Sequence, residues 1–187
     1  MIRKGQTVAN PVTGETLIFH ETSADTDGAY CRFETIVRPG GTVAAAHVHP
    51  YQTERFDVLA GTLGVRTGRR KAKLGAGESV EIEPGVPHKF WNAGDDELRF
   101  VAEVSPALQF ESLIETMFAL AADGKTSLKG MPNPLRLAVI ANHHFDVVRL
   151  PLVPGALQKA ALACGAPLGR MLGYGPVYEP AGQVALA

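Results

Sequence analysis

The sequence predicts a small, mainly β barrel followed by a helical C-terminal region. Two observations carry that expectation. From Thr16 to about Ser105, short runs of strand-forming residues alternate with turns rich in Gly, Pro and Asn, with no helical period between them. After Pro106 the grammar changes, and apolar residues recur at helical spacing. The expected division is therefore a β-barrel over 1–105 and a helical extension over 106–187, packed on the barrel or at a dimer interface.

The expected strands are 16–20, 30–37, 43–49, 55–60, 62–66, 70–74, 79–82, 88–91 and 98–104, separated by turns such as Pro39-Gly40-Gly41 and Gly75-Ala76-Gly77. Many short strands at such spacing suggest a sandwich or barrel. Downstream, Leu113, Ile114, Met117, Phe118 and Ala121 mark one face of a helix over 108–122, with Gly124 just past its end. A second helix is expected after Pro134, and a short third one over 157–164. From Pro167 to Ala187 the chain is apolar but rich in Gly and Pro, and no regular element is expected there.

Bulk composition narrows the function classes. The chain has 187 residues, 45% hydrophobic and 20% charged, which suits a globular domain with a sizeable core. A formal charge of −1 with dispersed basic residues gives no footprint for nucleic acid. No uncharged apolar stretch is long enough for a membrane span, and no apolar run follows Arg3 and Lys4 to make a secretory signal. With Cys31 and Cys164 far apart, the expectation is a cytoplasmic protein with two reduced, mostly buried thiols.

The chemistry concentrates in two segments. In the first, His47 and His49 lie two apart on an expected strand, so both side chains leave the same face. Pro50-Tyr51-Gln52 turns the chain, and Glu54 enters the next strand beside that pair. The second segment brings His88 on a later strand. Two alternating histidines, a spaced glutamate and a third histidine outweigh the reading of each as a packing residue.

These segments resemble the two motifs of the cupin superfamily. The first matches Gly-x5-His-x-His-x4-Glu-x6-Gly at Gly41, His47, His49, Glu54 and Gly61. The second matches Gly-x5-Pro-x-Gly-x2-His-x3-Asn at Gly77, Gly85, His88 and Asn92. It departs at the Pro position, where Glu83 stands and Pro84 is displaced by one. The resemblance covers residues 14–105 and implies a double-stranded β-helix, or jelly-roll barrel. It also implies one divalent metal held by His47, His49, Glu54 and His88. Three imidazoles and one carboxylate suit Fe, Mn, Ni or Zn and leave the ion a net charge of +1. An anionic oxygen of a small molecule would then bind at an open position.

Around that centre, Phe56 and Phe90 are expected in a pocket wall, each two residues from a ligand. Arg32 and Tyr51 are further pocket candidates, and Glu34 is the one nominee for a catalytic base. Gly41, Gly61, Gly77 and Gly85 are read as turn residues that permit positive φ. Tyr51 and Gln52 are read as a solvated turn, and His143 and His144 as helix-surface residues. Leu59 and Trp91 fall out of phase with the ligands, so cover is expected from the C-terminal helices or from the second subunit of a homodimer. The function expected is that of a metal-dependent enzyme on a small, anionic organic molecule: a dioxygenase, isomerase, decarboxylase or cyclase. The alternative is a non-catalytic module that binds or senses a small ligand or metal.

Overall fold

The computed structural model describes residues 1–43 and 45–179. Nine strands are described: β1 (Thr7–Asn10), β2 (Glu15–Glu21), β3 (Cys31–Val37), β4 (Thr53–Ala60), β5 (Leu63–Thr67), β6 (Arg70–Leu74), β7 (Ser79–Ile82), β8 (His88–Asn92) and β9 (Leu98–Ser105). Three helices follow: α1 (Phe110–Ala122), α2 (Pro134–His143) and α3 (Gly155–Met171). The strands form a six-stranded antiparallel sheet, β1-β2-β3-β9-β4-β7, and a three-stranded one, β6-β5-β8. Together they are the jelly-roll barrel, with the helices at the C-terminal end of the chain.

Alternation decides which face each strand buries. On β2 the buried residues are Glu15, Leu17 and Phe19, and on β4 they are Glu54, Phe56 and Val58. β9 buries Leu98, Phe100, Ala102 and Val104. Register then sets complementary volumes side by side: Ala102 pairs with Phe33 on one flank and Phe56 on the other. The small residue between two rings keeps that row level. Phe56, Phe90 and Phe100 pack edge to face at 5.0–5.6 Å, tying the two sheets together. The open edge at β6 carries Arg70, Lys71 and Lys73, all exposed, which discourages pairing with another strand.

Several expectations need correction. β1 was absent from the expected strands: four residues, Thr7–Asn10, are too short to show a period. Among its described residues segment 43–49 forms no strand; isolated bridges join His47 to His88 and Val48 to Arg149, and Thr42, just before it, to Trp91. The third helix runs to Met171, through Pro167, rather than stopping near Cys164. Close packing offsets the proline there: a Cβ on Gly165 would press on Ala138, and one on Gly169 would meet Leu135 and Val139, so α3 lies tight against α2. Beyond it the chain returns to α1, where Tyr178 donates from its hydroxyl to Asp123. The remainder of the expected tail, 180–187, lies outside the described residues.

Other expectations fail on burial. Cys31 is buried but Cys164 is exposed. His144 is not a surface residue: it is fully buried, with Nδ1 donating to the Ile140 carbonyl and Nε2 3.3 Å from Ser112 Oγ. Leu59 is half exposed within the chain, and Trp91 packs flat over Gly64, where any side chain would collide with the indole. The helices contribute residues to the wall of the barrel cavity. Among the described residues no helix is long and apolar enough to cross a membrane.

Candidate metal centre

The two histidine segments meet by direct backbone pairing. His47 and His88 exchange hydrogen bonds, with N to O distances of 3.0 and 2.9 Å, so their side chains leave the same face. Gly85 donates to the His49 carbonyl at 2.8 Å, which ties the turn before His88 to the first segment. Glu54 enters from β4, paired with Val104 on one side and Ile82 on the other. One ligand-type atom from each of His47, His49, Glu54 and His88 then lies within 4.8 Å of every other.

Each imidazole is oriented from behind. His47 Nδ1 lies 2.9 Å from the Ala45 carbonyl, His88 Nδ1 2.9 Å from that of Val86, and His49 Nδ1 2.6 Å from that of Val147. A carbonyl only accepts, so each Nδ1 carries a proton and each Nε2 can present a lone pair. His49 Nε2, His88 Nε2 and Glu54 Oε2 are all buried without a hydrogen-bond partner. His88 Nε2 and Glu54 Oε2 are nevertheless 2.9 Å apart. At that separation the two atoms need either a proton on His88 Nε2 or a shared cation between them. The donor set fits a divalent metal, which these four residues would hold.

The electrostatics agree. Burial, reinforced by His49 and His88, pushes His47 down to about 3, and burial also lowers His49. Burial alone would raise Glu54, but contact with His88 and the potential of all three imidazoles hold its carboxyl well below the usual range. At His88 desolvation is outweighed by Glu54, and the net shift is upward. A metal needs an anionic carboxylate facing neutral imidazoles; Glu54, His47 and His49 are shifted toward that state, whereas His88, paired with Glu54, must give up its proton to ligate.

The centre opens into a cavity of about 470 Å³ that runs from the barrel interior to the helices. His47, His49 and Glu54 are in its wall, with Phe56, Phe90 and Phe100 from the strands and Phe110, Met117 and Leu137 from the helical side. Phe56 and Phe90, the two expected pocket-wall residues, both line this cavity. Tyr51 instead lines a smaller recess of about 360 Å³ and is more than half exposed. Arg32 and Glu34 do not reach the cavity. They are out of phase with Phe33 and Thr35 and face outward, Arg32 pairing with Glu21 and Glu103 and Glu34 with Arg99. Gln52, expected in a solvated turn, is 1% exposed and donates to the carbonyls of Pro106 and Ala107.

Three contributors were missed from the sequence. The Val147 carbonyl, which orients His49, lies 98 residues away and has no side-chain signature. Arg149 borders both cavities, and its backbone exchanges hydrogen bonds with Val48 at 2.9 and 3.0 Å. Glu15 is 6% exposed and lines the cavity; burial pushes its carboxyl up to about 7, against the Thr13 hydroxyl and with help from Glu54. Its signal was present: Glu15-x-Leu17-x-Phe19 continues the inward alternation one residue before the expected start of that strand. Gly41 also differs from its expected role. It has no positive φ, but a Cβ there would meet Val37 and the carbonyls of Arg38 and Thr13.

A jelly-roll barrel with three histidines and a glutamate converging at its mouth defines a class. Residues 33–104 match the family model for the cupin domain, so this stretch of the barrel is similar to cupins. It is similar to polyketide synthase CurC of Streptomyces cyaneus, 36% identical over 78 residues, covering 42% of this chain and 50% of that protein. It is also similar to protein SchB of Streptomyces halstedii, 37% identical over 71 residues, 38% of this chain and 51% of that one. The chain thus spans about half the length of the curated relatives it matches. Among solved structures, KdgF from Halomonas sp. matches at 14% identity and a TM-score of 0.49, over 59% of this chain and 94% of that one.

Proposed function

We propose that the chain is a metal-dependent enzyme acting on an apolar, ring-bearing substrate of polyketide type that carries an anionic or enolisable oxygen group. The observation that supports this best is the continuity of the four-residue cluster with the aromatic cavity. The name of one relative, a polyketide synthase, agrees with a substrate of that kind.

A bound divalent ion would supply Lewis acidity toward a substrate oxygen. The chain's own residues do the rest. The Ala45, Val86 and Val147 carbonyls fix the imidazoles in the ligating tautomer. Phe56, Phe90 and Phe100 offer ring faces and edges to a planar substrate and exclude water around it. Arg149 places a cation at the rim for an anionic group. The metal is one of Fe, Mn, Ni or Zn, and the site also suits dioxygenation, isomerisation and decarboxylation. The proposed assembly is a homodimer, supported by exposed apolar residues such as Leu59, Leu157, Leu168 and Met171.

The test is turnover of enolisable aromatic polyketide analogues by protein loaded with each metal in turn, read by mass spectrometry with O2 uptake in parallel. Loss of water from the substrate identifies cyclisation, and gain of O2 identifies dioxygenation. Tight binding with no turnover under any metal supports the alternative, a ligand-binding module. No binding at all defeats both readings.

A further inference from the structure

Besides Arg149 at its rim, the cavity wall holds one ionisable group that the metal centre does not use. Glu15 sits on β2 in phase with Leu17 and Phe19, its backbone paired with Asn10 and Val37, and its side chain in the cavity wall. It is buried, and among the described residues no cation pairs with it and no hydrogen bond of normal geometry reaches its carboxyl. The nearest candidate, the Thr13 hydroxyl, is itself left without a partner. A buried carboxyl without a partner is costly, and an apolar residue at that position would fill the barrel better. Packing does not account for it, but a ligand oxygen would.

We propose that Glu15 is a second polar anchor of the cavity, whose carboxyl hydrogen-bonds an oxygen of the ligand other than the one that meets the metal cluster. The ligand class is thereby narrowed to an aromatic or polycyclic body with at least two oxygen functions. One goes to the His47, His49, Glu54 and His88 cluster, and the other, a hydroxyl or carbonyl, goes to Glu15. The rest of the wall is largely apolar, with Leu17, Phe33, Phe56, Phe90 and Phe100 among its residues. Glu15 keeps its proton up to about neutral pH, which makes it a donor there. This inference rests on the reading that the cavity takes a ring-bearing ligand.

The experiment measures binding of 2-naphthoate, and of hydroxy-2-naphthoates with the hydroxyl at different carbons of the far ring, to the metal-loaded full chain by calorimetry. At least one hydroxy compound should bind about fivefold to tenfold tighter than 2-naphthoate, one hydrogen bond's worth. Glu15→Gln, which still donates, should keep most of that gain. Glu15→Leu should abolish it while binding 2-naphthoate within about twofold of the parent chain. Glu15→Leu should also melt no lower than the parent, since nothing in the fold depends on the carboxyl. A hydroxyl gain that survives Glu15→Leu overturns the inference. So does the absence of any gain when 2-naphthoate still binds, and so does a fold that collapses in both variants. If no naphthoate binds the parent chain, the ring-ligand reading itself fails and takes this inference with it.

Discussion

At Glu15 the fold keeps an acid that water would ionise. In the unfolded chain its proton leaves near 4.5, and in the folded chain near 7, because burial disfavours the charged form. Between those values the folded state holds the extra proton, so its contribution to stability falls as pH rises. Glu15→Gln removes that dependence. On metal-free protein the variant should melt close to the parent at low pH and gain on the order of 3 kcal/mol at alkaline pH. Paired denaturant titrations across the range check this, and a constant difference between the two proteins would contradict it. The same residue shows how far a period-2 reading extends. The four ligand-type residues and the Phe56 and Phe90 wall were legible because alternation and motif spacing fix their face. Glu15 was lost because the expected strand began at Thr16. Arg32 and Glu34 were misread because alternation alone does not say which phase of β3 faces inward, and only its pairing with β2 and β9 does.

The C-terminal helices are more than an outer layer. They complete the cavity wall through Phe110, Met117 and Leu137, and the loop after α2 supplies both the Val147 carbonyl behind His49 and the Arg149 pairing to Val48. At the other end, Gln52 clasps the start of this region to β4 through Pro106 and Ala107. A chain truncated after Ser105 keeps all four ligand-type residues but exposes Phe33, Phe56 and Phe90 from below. It should be insoluble or melt far lower, and any soluble fraction should bind metal more weakly, as judged by competition with a chelator. A soluble truncation with unchanged melting and metal affinity would make residues 106–187 a separate module. Gln52→Ala, in the full chain, should cost about 1–2 kcal/mol by denaturant unfolding, because the part-buried Pro106 carbonyl and the buried Ala107 carbonyl lose their donor. Helix periodicity announced α1 and α2 in the sequence. It did not announce what they cover, since contacts between residues a hundred apart leave no local pattern, nor the persistence of α3 through Pro167, which depends on glycines meeting α2.

For the whole molecule, the barrel and the centre make separable contributions. The core joining both sheets is apolar and closely packed, and it includes Phe19, Leu63, Leu98 and Phe100, all essentially inaccessible. The barrel should therefore fold without metal, unlike a zinc finger. A bound ion should then raise the melting temperature by mass action, because it binds the folded state alone. The central claim is that His47, His49, Glu54 and His88 hold one divalent ion per chain. Its most direct measurement is elemental analysis of anaerobically purified protein, before and after incubation with Fe, Mn, Ni or Zn, beside a His47→Ala variant. The account predicts about one ion per parent chain with a raised melting temperature, and loss of both in the variant, whose barrel still gives the parent's circular dichroism. A parent chain that takes up none of these metals, or a variant that retains the ion at full occupancy, would contradict it.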